Sequence, residues 1–160
     1  MAKGTFTIKV DSHVDDVMAA VNDKIKLALD LMGDTVEGYA KEDCPVDTGL
    51  LRNSITHALA GEAISHTYHA SYGENRNKAG GRLSASDKNA GSVKFGVMSG
   101  SMGQMGDNAC YVGTNVEYAP QVEFRDSVHH NVGKAHFLRD GGQNHINELK
   151  SIAEATLKSI

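Results

Sequence analysis

The 160-residue chain has only two cysteines, Cys44 and Cys110, and they have no CxxC spacing, so a disulfide scaffold is not expected. Positive charge is not in excess either. Sixteen Lys and Arg against twenty Asp and Glu leave a net charge of −4, which lacks the global footprint of a nucleic-acid coat. Long hydrophobic runs are missing as well. The longest are a few residues, against the roughly 20 that a bilayer span needs. No apolar h-region follows Met1-Ala2-Lys3-Gly4-Thr5, so no secretory signal is read and no membrane partner is expected. What remains is ordinary for a globular protein: 40% apolar residues, about half once the 17 glycines are counted, in a length that suits one domain over 1–160.

The acidity is concentrated in residues 1–50, where ten acids face five bases, a pattern that suits a solvated helix face. Phe6, Ile8 and Val10 alternate with Thr5, Thr7 and Lys9, which predicts a short half-buried strand. Ser12 with Asp15 resembles a capping box opening a helix. Val14, Met18, Val21, Ile25, Ala28, Met32, Val36 and Tyr39 then form one stripe of a long helix. Leu27 and Leu31 widen the apolar surface, which implies a second contact, either a loop of this chain or another subunit. Gly33 and Gly38 each cost that helix about 1 kcal/mol relative to Ala, and Pro45 stops it.

After Pro45, Asp47 or Thr48 is placed to cap a short turn, Gly49 to Ser54, with Leu50 and Leu51 reaching the core. Ile55 to Leu59 and Ala63 to Tyr72 read as a hairpin joined around Gly61. Residues 73–106 hold eight of the 17 glycines and read as a long glycine-rich loop in which Val93, Phe95 and Val97 form a strand. Ala109 to Val116 suggests a central strand. Glu117 to Phe124 suggests a brief helical or turn segment with Tyr118, Val122 and Phe124 as its apolar set. Ile146, Leu149, Ala153, Leu157 and Ile160 repeat at helical spacing, while Gly141-Gly142 leaves that helix's start open. The expected class is α+β, with a long N-terminal helix and a C-terminal helix packed on a mainly antiparallel sheet.

Chemistry-bearing patterns are sparse. Asp47-Thr48-Gly49 matches the turn in which aspartic proteases carry their carboxylate, which for one copy per chain requires a homodimer. A helix and Cys44-Pro45 precede it, where such a turn follows an apolar strand. The eight histidines form no H-E-x-x-H, and no acid completes a ligand set, so exposed loop histidines are expected and no metal or cofactor. Both cysteines read as packing residues. Neither a phosphate-binding glycine loop nor a G-x-S-x-G elbow occurs. Arg52, Arg76, Lys78, Arg82, Lys88 and Lys94 give the middle third its small positive excess, which suits solubility better than phosphate contact, though a DNA-contacting accessory role stays open.

Two longer blocks add to this reading. Pro45-Val46-Asp47-Thr48-Gly49-Leu50-Leu51-Arg52-Asn53-Ser54-Ile55 precedes Val112-Gly113-Thr114-Asn115-Val116-Glu117-Tyr118-Ala119-Pro120-Gln121-Val122-Glu123-Phe124, and Ala135-His136-Phe137-Leu138-Arg139 follows. In this order the three blocks resemble the tail-component family of tailed bacteriophages and prophages, whose members are neck proteins of the tail-completion or head–tail connector kind. The resemblance covers most of the chain outside 60–106. It implies a non-enzymatic virion subunit, assembled in the bacterial host cytoplasm into a ring at the neck. Its partners would be copies of itself and other neck and tail proteins, with DNA passing through without sequence-specific binding.

The residues implied in that structural and assembly role are Pro45, Val46, Asp47, Thr48, Gly49, Leu50, Arg52, Ser54, Gly113, Tyr118, Ala119, Glu123, Phe124, Phe137 and Leu138. Within them, Arg52 is placed to pair with Asp47 or Glu123. Tyr118, Phe124 and Phe137 offer apolar bodies for a core or a subunit contact. The chain departs from the family pattern at Arg125, where glycine is common, at His136, where proline is common, and in the length of 73–106, read as an assembly loop that orders against a neighbouring subunit.

Overall fold

The computed structural model describes residues 12–46, 49–69, 95–101, 108–125 and 132–158. The strand expected over 5–10, the residues Asp47 and Thr48, and most of the glycine-rich stretch lie outside them.

Helix α1, Val14–Asp43, runs 30 residues without interruption, about 45 Å at 1.5 Å per residue. Both Gly33 and Gly38 are carried within it. The capping box is not formed: His13 is the N-cap, with no side-chain hydrogen bond, and Asp15 and Asp16 in the first turn complement the helix dipole instead. The helix stops where proline requires. Cys44 adopts φ −62° and ψ 131°, the extended conformation favoured before Pro45.

Helix α2, Leu50–Ser54, follows a left-handed Gly49 at φ 75°. Four strands come next: β1 (Thr56–Leu59), β2 (Ala63–His69), β3 (Phe95–Ser101) and β4 (Cys110–Gly113). The hairpin expected between β1 and β2 does not form. A turn through Ala60 and Gly61 joins them, but β1 pairs antiparallel with β4, Thr56 opposite Gly113, while β2 pairs antiparallel with β3, Ala63 opposite Ser101. The β1–β4 pairing extends beyond the ladder, because the Ala60 amide donates to the Ala109 carbonyl at 2.8 Å. The segment expected as a central strand is therefore a short β4, in a two-stranded sheet laid on α1.

Three helices close the chain: α3 (Ala119–Phe124), α4 (Phe137–Gln143) and α5 (Ile146–Leu157). Gly141 and Gly142 belong to α4, and the break comes after them at Asn144 and His145. A Cβ on Gly141 would stand 3.0 Å from the Ala40 nitrogen, so this glycine sets how closely α4 packs on α1. The fold is α+β, with the helices and the small antiparallel sheets sharing one core. Ala40 and Cys44 of α1 and its cap meet Leu51, Ile55, Tyr68, Val116, Ala119 and Phe137 there. No helix among the described residues is long and apolar enough to cross a membrane.

Candidate functional site

The three sequence blocks lie far apart in the chain, and the fold brings them together. Leu51 and Ile55 come from the first, Val116 and Ala119 from the second, and Phe137 from the third; all are buried in the common core. Leu50, Val112, Val122 and Leu138 pack against it from half-buried positions. The blocks are also joined by polar contacts. Ser54, fully buried, donates from Oγ to the Leu51 carbonyl at 2.6 Å and shares a hydrogen bond with the Thr114 hydroxyl, whose oxygen accepts from the Val116 amide at 3.1 Å. His66 Nε2 donates to the Asn53 carbonyl at 2.9 Å, and the Tyr68 hydroxyl donates to Asn115, so β2 is tied to both blocks.

Glu123 makes the most specific of these links. Its side chain is buried, with the residue 5% exposed. Its two carboxylate oxygens accept the amides of Leu138 at 3.1 Å and Arg139 at 3.0 Å, while its own carbonyl accepts the His136 amide at 3.0 Å. A carboxylate here satisfies amides at the start of α4 that have no partner within the helix, and complements the positive helix end. The pairing of Arg52 with Glu123 is therefore replaced: Arg52 is exposed, and backbone amides hold the carboxylate. The alternative partner, Asp47, lies outside the described residues, as does Thr48.

The other block residues have simpler places. Pro45 and Val46 are half-buried at the end of α1, and Gly49 is buried. Gly133, at φ 80°, closes over this corner: a Cβ there would stand 2.5 Å from the Pro45 nitrogen and 2.6 Å from the Cys44 carbonyl carbon. The neighbouring Lys134 amide donates to the Asp43 carbonyl at 2.9 Å, and its ammonium lies 2.9 Å from the Asp43 carboxylate and 3.6 Å from Asp140. Gly113 is half-buried with open space where a Cβ would be. Of the three aromatic residues, Phe137 is wholly buried, whereas Tyr118 and Phe124 are exposed, Phe124 by 74%. Of the apolar set expected for α3, only Val122 packs against the core; Tyr118 and Phe124 face outward, and the buried positions are Ala119 and Glu123. Tyr118, Gln121 and Phe124 share its outward side at 100° per residue.

No family model, no curated protein and no solved structure matches this chain.

Two residues in or beside these blocks have backbone conformations that fit their residue types. His136 stands at φ 59°, where a proline ring held near −65° cannot follow and where histidine is among the more tolerant residues. Arg125 stands at φ −104°, which asks for no glycine.

A second cluster joins α1 to β1 and was not expected from the sequence. His57 Nδ1 lies 2.6 Å from Glu37 Oε2, the His57 amide donates to the same oxygen at 2.9 Å, and Nε2 lies 3.4 Å from Asp30 Oδ1. Lys41 donates to the other oxygen of Glu37. Burial opposes the ionisation of Glu37, but the hydrogen bonds from Lys41 and His57 and their charges outweigh it, holding the carboxyl below its usual range. Asp30, Glu37 and Lys41 sit seven and then four residues apart, one face of a helix. That spacing was available in the sequence; the histidine that meets them, from a strand 20 residues on, carried no local signal.

The cysteines fit the packing role. Burial pushes the Cys44 thiol up to about 12, and raises that of Cys110 too, so neither is set up as a thiolate at neutral pH. Among the described residues no group of three or more His, Cys, Asp or Glu is placed to hold a metal ion. The arrangement that the blocks build is a polar-stitched core with an exposed aromatic edge.

Proposed function

We propose that this chain is a structural virion protein of a tailed phage or prophage, a tail-completion or head–tail joining subunit that assembles into a ring at the neck. The observation that carries the reading is the convergence of the three family-like blocks on one core, with Glu123 of the second block clamping the first turn of the third. Blocks shared for catalysis would converge on side chains open to a substrate. Blocks shared for shape converge on packing, and that is where Leu51, Ile55, Val116, Ala119 and Phe137 stand. The exposed Tyr118 and Phe124 on the outward side of α3 supply apolar surface suited to a neighbouring subunit. The mechanism is geometric. Repeated heterologous contacts close a ring, and DNA passes through it without being read. This reading asks for no cofactor and no membrane.

Deleting the gene from the phage or prophage that carries it, inducing, and imaging the lysate by negative-stain electron microscopy tests the proposal. Filled heads beside separate tails are the expected result. Normal infectious particles overturn it, and the Asp47→Asn variant would then be compared with the wild type in a hydrolase assay.

A further inference from the structure

We propose that α1 pairs with α1 of a second copy of this chain, antiparallel across a two-fold axis at the level of Leu29. Ala20, Lys24, Leu27, Leu31, Asp34 and Gly38 follow alternating steps of four and three and fall within an arc of about 80° at 100° per residue. The arc lies on the side of the helix turned away from the core, its centre about 160° round from the buried Ala40. Lys24 is half-buried and the other five are exposed, Leu27 by 45% and Leu31 by 42%. This is a second stripe, distinct from the one that carries the core, with two leucines at its middle.

The order of residues along this stripe points to its own copy as the occupant. Leu27 and Leu31 stand at equal distances either side of Leu29, then Lys24 and Asp34, then Ala20 and Gly38. In an antiparallel pair each residue comes level with its opposite: leucine with leucine at the centre, lysine with aspartate outside it, alanine with glycine at the ends. A two-fold contact requires such self-complementarity, and a partner of unrelated sequence has no need of it. A parallel pair instead sets Lys24 against its own copy and Asp34 against its own, which like-charge repulsion opposes. Close approach is open at the ends, because alanine is small and a Cβ on Gly38 would meet nothing within 4 Å. Beyond Gly38 the face runs into an open depression of about 510 Å³ lined also by Lys41, Glu42, Arg52 and Asn53. Asp16 of the second copy comes level with it, and its two cations outnumber its one carboxylate. Asp23 and Asp30, both exposed, stand about 60° and 80° from the centre of the arc, outside the seam. The midpoint of Val14–Asp43 falls between Ala28 and Leu29, so the two helices overlap over almost their whole length. The contact uses α1 and not the aromatic edge of α3; it does not rest on the phage reading and survives if that reading fails.

Paired cysteines in the full-length chain test it. The two sites of the A20C/G38C variant lie about 27 Å apart along one helix, too far for a bridge within a chain, whereas antiparallel pairing sets position 20 of one copy against position 38 of the other. Mildly oxidised and mapped by tryptic peptide mass, this variant is expected to give a covalent dimer bridged from 20 to 38. Bridges of 20 to 20 and 38 to 38 alone, or no covalent dimer, overturn the proposal. Charge exchange, read by sedimentation equilibrium at submillimolar concentration, is the second measurement. K24D and D34K each turn an attractive pair into a repulsive one twice per dimer, and each is expected to weaken dimerisation on the order of tenfold. K24D/D34K restores both pairs in reversed order and should recover the wild-type affinity to within about threefold. The two positions are about 15 Å apart along one helix, so the recovery reports contact between copies. A monomeric wild type, single reversals without effect, or a double variant no tighter than the singles overturns the proposal too.

Discussion

The two halves of α1 carry the same stripe and meet different surroundings. From Ala28 to Cys44 the helix and its cap are packed by the β1–β4 sheet, α4 and α5; Tyr39 stacks on His145 at 3.3 Å, its hydroxyl donates to Glu148 at 2.8 Å, and His57 clasps Glu37. From Val14 to Ala20 every residue is exposed. Periodicity thus identifies the face that a helix offers, while burial depends on which segments come to it. Gly33 and Gly38 make the same point five residues apart. A Cβ on Gly33 would stand 2.4 Å from Cys110 Sγ and 2.9 Å from His57 Cδ2, whereas one on Gly38 would meet nothing within 4 Å.

Substitutions along this contrast should rank accordingly. Phe137→Ala empties the centre of the packed half and is expected to cost about 4 kcal/mol in urea unfolding, read as a lower midpoint with an unchanged slope. A loss below about 1 kcal/mol would mean that α4 is not part of the cooperative core. Glu123→Ala strands the amides of Leu138 and Arg139 and should cost about 3 kcal/mol. The paired glycine test is the sharpest. Gly38→Ala should stabilise by about 1 kcal/mol through helix propensity alone, while Gly33→Ala loses that gain to crowding and ends destabilised by about 1 kcal/mol. Equal effects from the two would break the contrast.

Acid titration probes the clasp between α1 and β1. Glu37 has its folded pKa held below the ordinary 4.5, so its contribution is present above that value and is lost as pH falls through the folded pKa. Glu37→Gln is therefore expected to lose about 1–2 kcal/mol at neutral pH. Its stability should fall less steeply than the wild type's below pH 4.5, so the two curves converge in acid. The smallest effect belongs to the open half: Met18→Ser should change global stability by less than about 0.5 kcal/mol. It should nonetheless speed exchange over 14–25, and calorimetry beside hydrogen exchange separates the two responses.

Several features were legible before any coordinates. The stripe of α1, its stop before Pro45, the short helical turn Leu50–Ser54, the closing helix around Leu149 and the α+β class follow from periodicity and from the chemistry of proline. Packing roles for Cys44 and Cys110 followed from their apolar neighbours. The pairing of β1 was not legible, because Thr56–Leu59 finds its partner more than 50 residues away at Cys110–Gly113, while the nearby Ala63–His69 imitates a hairpin arm. Nor was the burial of Glu123 in α3. The apolar residues Tyr118 and Phe124 were offered for a core or a subunit contact; both are exposed, Val122 packs against the core, and Glu123 is buried with its carboxylate accepting two amides of α4.

Taken alone, the amino-acid sequence indicated the main helices and the apolar stripe of α1, because those depend on residues within a few positions of one another. It also supplied the three blocks on which the family resemblance stands. Only the tertiary structure decided that those blocks meet in one core, that His57 lies between Asp30 and Glu37, and that Gly33 is crowded while Gly38 is free. Contacts of that kind join residues from 20 to more than 80 positions apart, and they are set by how the elements pack, which no local pattern encodes.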